Sequence, residues 1–194
     1  MYHTSGSTVP NKFHLKLDFS DGTSLTVALT GMGTIQVLRD EELERSYVYK
    51  RDFSEVVSPV NEGKFTFEHF SKQLAEKRVN IKSSLVGKDA VIVGLSNSAF
   101  QDILFRAKIH PKRKASELSE NERYTLYDAI KSMVNERMRF GGKDQFIDLY
   151  GNPGRYTPTM GPNMSGKTCI VCGTSIAKLG LGGGQVYFCP KCQK

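Results

Sequence analysis

The sequence predicts an α+β protein. Three observations carry that reading. Apolar residues in the first third alternate with polar ones at the period of a strand. Those in the middle recur at the spacing of a helix face. All four cysteines fall in the last 26 residues, in two CxxC pairs. The 194 residues suffice for one large domain or two small ones. Hydrophobic residues make up 39% and charged residues 24%, a globular balance that excludes a wholly disordered chain. No apolar run approaches the roughly 18 residues of a membrane span.

Phe13, Leu15, Leu17 and Phe19 alternate with His14, Lys16 and Asp18, and Ser20-Asp21-Gly22 marks a turn. Leu25, Val27 and Leu29 then alternate with Thr26, Ala28 and Thr30, which predicts an antiparallel hairpin. Gly31-Met32-Gly33 interrupts the pattern, Thr34 to Leu38 is expected to resume as a strand, and residues 1–12 are expected to be flexible.

Helices follow. Phe67, Phe70 and Leu74 predict one over Phe65 to Lys77. A short one is expected over Ile81 to Val86, and another through Leu95, Ala99, Ile103 and Leu104, opened by Gly94, Ser96 and Asn97. Ser119 and Glu122 form a capping-box pattern ahead of Leu126, Ile130, Met133, Val134 and Met138. Arg137 and Arg139 suit the last turn of that helix, and Gly141-Gly142 suits its stop. Residues 143–168, rich in Gly, Pro and Asn, read as a linker. The expected division is a β-domain over 1–60, a helical domain over 61–160 and a metal finger over 161–194.

Cys169-Ile-Val-Cys172 and Cys189-Pro-Lys-Cys192 are separated by 16 residues. Two CxxC pairs at this spacing predict a four-thiolate Zn²⁺ site closed by a hairpin with a glycine-rich tip at Gly180 to Gly184. With four protein ligands no position is open, so the zinc is expected to be structural. Two disulfides are the alternative. The opening Met-Tyr-His-Thr-Ser-Gly-Ser disfavours them, because it has neither the basic nor the apolar segment of an export signal and points to the cytoplasm.

The net charge of +7 is uneven. Residues 1–60 hold six Lys/Arg and eight Asp/Glu, whereas residues 61–194 hold 21 bases and 12 acids. The basic part favours a polyanionic partner. Gly161-Pro-Asn-Met-Ser-Gly166-Lys167-Thr168 matches the phosphate-loop pattern GxxxxGK[ST], but neither a buried strand before it nor a helix after it is expected. The match is read as accidental, and no nucleotide cofactor is expected.

Three segments carry a family likeness: Gly94-Leu-Ser-Asn97, Gln101-Asp-Ile-Leu-Phe-Arg-Ala-Lys-Ile-His-Pro111, and Lys114-Ala-Ser-Glu-Leu-Ser119. With the Gly141-Gly142 stop, the Gly151-Asn-Pro-Gly154 turn and the terminal cysteine pairs, they resemble the formamidopyrimidine-DNA glycosylase / endonuclease VIII family. The resemblance implies a partial β-sandwich, then a helix–two-turns–helix module and the zinc β-hairpin. It implies a base-excision-repair glycosylase and abasic-site lyase that excises oxidised bases from double-stranded, damaged DNA by flipping the base out. It places Asn97 at a backbone phosphate beside the flipped nucleotide, where helix N-terminal N–H groups also favour an anion; a plain N-cap is the other reading. It places Lys82 near the lesion; a solvated helix lysine is the other reading. Met32 is either a wedge in the DNA or a buried side chain, and Arg155 is a further candidate DNA contact.

Members of this family attack the sugar with an N-terminal proline amine, assisted by a glutamate. Here Met1 is followed by Tyr2, and the first proline is Pro10. The resemblance therefore leads us to expect an N-terminally truncated chain with no catalytic residue identified and no lyase activity of its own. Gly184 also stands where the family carries a finger-tip arginine. A non-catalytic, zinc-dependent nucleic-acid-binding remnant is the alternative function.

Overall fold

A computed structural model describes residues 1–29, 33–54, 57–61, 63–87 and 90–194. The fold is α+β, with two small antiparallel sheets and six α-helical segments among the described residues. By their contacts the residues form two compact units, one of Met1–Glu42 and Arg137–Thr157, the other of Leu43–Glu136 and Pro158–Lys194.

In the first unit, β1 (Tyr2–His3), β2 (Leu15–Asp18) and β3 (Ser24–Val27) form a sheet in the order β1-β3-β2. The predicted hairpin is present, with Leu15 opposite Val27 and Asp18 opposite Ser24. Its turn is held by Asp21, whose carboxylate accepts from the Thr23 backbone N–H and hydroxyl. Two expectations fail here. Residues 1–12 are not uniformly unstructured, because Tyr2 and His3 pair with Leu25 and Ser24, and the His3 ring meets Thr26 Oγ1 at 2.8 Å. Thr34–Leu38 forms no strand. Its residues pair with no strand of the sheet, and Val37 is 93% exposed.

Residues 143–157, read as part of a linker, are instead tied into this unit. Lys143 bridges Tyr156, Ile147 bridges Pro153, and Asp148 gathers the N–H groups of Tyr150 and Asn152. Gly154 is buried where a Cβ would run into the carbonyl oxygens of Gly142 and Lys143. Gly154→Ala is therefore expected to cost more than about 2 kcal/mol, read as a fall in the denaturant midpoint. An unchanged midpoint would show that the backbone there can yield.

The second unit holds the helical core. Two short helical segments, α1 (Asp40–Leu43) and α2 (Tyr47–Tyr49, running into a π-type turn at Lys50–Ser54), precede it. Neither shows in the apolar pattern. Then come α3 (Phe67–Ala75), α4 (Ile81–Val86), α5 (Asn97–Arg106) and α6 (Glu120–Arg139). Each start has a side-chain cap: Thr66 for α3, Asn80 for α4, Ser96 for α5. The capping box forms as expected at α6, with Ser119 N–H on Glu122 Oε2 at 2.8 Å and Glu122 N–H on Ser119 Oγ at 3.3 Å. Its stop is a Schellman motif, in which Gly142 N–H reaches Arg137 C=O and Gly141 N–H reaches Met138 C=O. Leu126, Ala129, Ile130 and Met133 are the buried stripe of α6. They belong to a core with Phe65, Phe70, Leu74, Ile81, Leu85, Phe100, Ile103 and Leu104.

Candidate nucleic-acid interface and metal centre

The C-terminal hairpin is built as its glycines require. β4 (Ala177–Leu181) and β5 (Gly184–Phe188) pair with Leu181 opposite Gly184, leaving a two-residue turn at Gly182-Gly183. Both turn residues have positive φ, 53° and 75°. A type I′ turn demands this, and glycine supplies it without strain.

At the base of the hairpin the four cysteines converge. All four are free thiols, and their Sγ atoms lie within 4.8 Å of one another. Cys172 and Cys189 approach to 3.5 Å, Cys169 and Cys192 to 3.9 Å. A tetrahedral ion with Zn–S bonds of about 2.3 Å sets its sulfurs about 3.8 Å apart, so the cage has zinc dimensions. Its electrostatics ask for a dication. Thr174 beside Cys172 stabilises that thiolate and brings its pKa down to about 6. Cys192, hydrogen-bonded to Cys172 and its other neighbours, is pushed up to about 12. One thiol ionises readily and the last resists, a conflict that a 2+ charge removes. Val171 N–H and Cys192 N–H donate to the sulfurs of Cys169 and Cys189, orienting them. The zinc is structural, held by Cys169, Cys172, Cys189 and Cys192.

The metal knuckles and α5 share a core. Phe105, Met160, Met164, Cys169 and Cys189 are buried together, with Ile176 and Tyr187 packed against them. Buried Gln101 bonds the hairpin by both ends of its amide: Tyr187 N–H donates to Oε1 at 2.7 Å, and Nε2 donates to Gln185 C=O at 3.4 Å. Gln193 ties the second cysteine knuckle to the segment after α5, accepting from Cys189 N–H and donating to Ile109 C=O. Asp102, with a fully buried side chain, accepts from Thr159 N–H and Met160 N–H through one oxygen and faces Arg106 across 3.7 Å with the other. The segment Pro162–Met164 is a 3₁₀ turn, and the first cysteine knuckle follows it. No phosphate loop is formed there.

This scaffold gathers two of the predicted DNA-contact residues at the hairpin tip. Ser96, not Asn97, caps α5. Asn97 is thus the first helical residue, exposed, with Nδ2 donating to Gln185 C=O at 3.3 Å. Lys82 is 7% exposed, so it is no solvated helix lysine. Its ammonium donates to the Leu181 and Gly182 carbonyls, and burial holds its pKa below the ordinary lysine range. Gly184 borders both, and a Cβ there would lie 3.7 Å from Asn97 Nδ2 and from Lys82 Nζ, an ordinary contact distance. Arg155 is exposed in the first unit, and Met32 lies outside the described residues. Sequence reasoning missed Gln101, Asp102 and Gln193. Their one signal is polarity inside otherwise apolar surroundings.

Residues 57–146 match the family model of the formamidopyrimidine-DNA glycosylase H2TH domain, and residues 166–194 match that of the zinc finger found in FPG and IleRS. The chain belongs to the formamidopyrimidine-DNA glycosylase family. Among curated members, the formamidopyrimidine-DNA glycosylase of Listeria innocua is 29% identical over 185 residues, spanning 93% of this chain and 66% of that protein. The one from Pelotomaculum thermopropionicum is 38% identical over 141 residues, spanning 71% and 50%. The chain thus spans about two thirds of the Listeria protein's length and half of the Pelotomaculum protein's. Among solved structures, MutM in complex with carbocyclic 8-oxo-G containing DNA is 26% identical with a TM-score of 0.83, covering 100% of this chain and 70% of that one. Lactococcus lactis Fpg in complex with abasic-site DNA, 24% identical with a TM-score of 0.82 and the same coverage, shares the fold.

Proposed function

We propose that these 194 residues are the DNA-binding part of a base-excision-repair DNA glycosylase/AP lyase that acts on oxidised bases in duplex DNA. The observation that carries this reading is the meeting of Lys82, Asn97 and the zinc-hairpin tip within one compact unit. The N–H groups opening α5, with the Asn97 amide beside them, suit a backbone phosphate. Lys82 adds positive charge at the same place, and Arg155 adds a phosphate contact. The zinc fixes the hairpin that carries the tip. The reading assigns these residues the binding of damaged DNA. It places the chain in the cytoplasm, with DNA.

The test is the affinity for duplex DNA carrying a stable abasic analogue against intact duplex, over a range of salt. Binding is expected to weaken steeply with salt and to prefer the damaged duplex. Asn97→Ala is expected to lose about tenfold, the equivalent of one charge-assisted hydrogen bond. Loss of DNA binding altogether would overturn the proposal. Equal affinity for both duplexes would favour the second reading, a non-catalytic zinc-dependent nucleic-acid binder. That reading draws support from Gly184, which leaves the tip without a side chain.

A further inference from the structure

The two-residue turn at Gly182-Gly183 makes Leu181 and Gly184 the first hydrogen-bonded pair of the hairpin, and such pairs recur at every second residue. Leu179 with Val186 is the next. Gln185 and Tyr187 are the alternate residues of β5, so their N–H and C=O groups point away from β4. The Gln101 carboxamide meets them there. Its Oε1 accepts from Tyr187 N–H at 2.7 Å, and its Nε2 donates to Gln185 C=O at 3.4 Å. A C=O and an N–H on either side of one residue are the two groups that a residue of a parallel strand engages with its own N–H and C=O. Gln101 does with a side-chain amide what one residue of a neighbouring strand does with its backbone.

The same amide is tied back to its own helix. Nε2 also donates to Asn97 C=O at 3.1 Å, one turn earlier in α5. Gln101 is 1% exposed, so these bonds are made out of reach of bulk water. Gln185 C=O accepts from Asn97 Nδ2 as well, at 3.3 Å. One carbonyl is thus shared by Gln101 and Asn97, and its place decides where the Asn97 amide is held. α5 and β5 belong to the same compact unit. The chemistry at position 101 is narrow. Glutamate lacks the donor, asparagine is one methylene short, and methionine fills the space with neither group.

We propose that Gln101 is the positioning residue of this interface: its carboxamide stands in for one residue of a parallel strand beside β5, and by holding Gln185 C=O it sets the Asn97 amide for a backbone phosphate. The proposal rests on the reading that Asn97 meets phosphate. A double-mutant cycle on zinc-loaded protein tests it, with duplex carrying a stable abasic analogue as the probe. Gln101→Met is expected to bind about tenfold more weakly than wild type, with zinc content and helical circular dichroism unchanged. In an Asn97→Ala background the same change is expected to cost no more than about twofold, because Gln101 acts through Asn97. Gln101→Glu keeps the acceptor for Tyr187 N–H but turns a carboxylate oxygen toward two carbonyls, so it is expected to bind at least as weakly as Gln101→Met. Amide exchange on the unaltered chain needs no variant. There the outward Tyr187 N–H is expected to be protected to within about tenfold of Val186 N–H, which lies in the ladder. Wild-type affinity in Gln101→Met, a full additional loss in the Asn97→Ala background, or an unprotected Tyr187 N–H would each overturn the proposal while leaving the phosphate reading in place. An Asn97→Ala chain that binds as tightly as wild type would overturn the phosphate reading itself, and the proposal with it.

Discussion

Cys172→Ser is expected to purify without zinc and to bind duplex DNA at least tenfold more weakly than wild type. The metal has four protein ligands, and a site with three thiolates and a hydroxyl loses much of a binding energy that is of order 10 kcal/mol in isolated zinc fingers. The finger has little core of its own beyond what the cysteines share with Phe105, Met160 and Met164. Without the ion, the thiols of Cys172 and Cys189, 3.5 Å apart, no longer have a reason to stay together. The hairpin then leaves Lys82, Asn97 and Gln101. The helical core of Phe70, Leu74, Phe100, Ile103 and Leu126 lies outside the knuckles, so far-UV circular dichroism should keep its helical signal. Chelation of wild type should reproduce the loss, and added zinc should reverse it in wild type but not in the variant. Unchanged metal content in Cys172→Ser would sink the four-ligand assignment.

The second large effect is expected at Asp102. Its side chain is fully buried and one oxygen serves both Thr159 N–H and Met160 N–H. Asp102→Ala strips both donors of their acceptor and removes the carboxylate that faces Arg106. At about 1–3 kcal/mol for each orphaned buried group, the loss should reach about 4 kcal/mol, or roughly 10 °C in Tm. Asp102→Asn keeps an oxygen for the two N–H groups but turns an amide NH2 toward Arg106 in place of the second carboxylate oxygen, so it should cost about 1–2 kcal/mol. The order Ala below Asn below wild type is the diagnostic. Equal loss in both variants would mean that the Arg106 pairing, and not the anchoring of residues 159 and 160, carries the effect.

The contrast between these two sites shows what was legible in the sequence. Cysteine spacing, the Ser119–Glu122 box, the Gly141-Gly142 stop and α4 over Ile81–Val86 are local signals, and each appears where it was expected. Their physics is contained within a few residues. Asp102 and Gln101 act across 57 and 86 residues of chain, and no periodicity reports a partner that far away. The Thr34–Leu38 strand failed for the complementary reason. Alternation states a preference, but a strand exists only when another strand lies beside it. Tyr2–His3 is too short to show any period, yet it pairs because β3 offers an edge. For Lys82, position on a helix could not distinguish a solvated amine from one buried under a hairpin built 99 residues later.

The glycines at the hairpin tip have one more consequence. From Gly182 to Gly184 the chain presents peptide groups and nothing else. A surface of that kind carries no alphabet. It can sense how closely another molecule approaches and how that molecule is shaped, but it cannot spell out a sequence of bases.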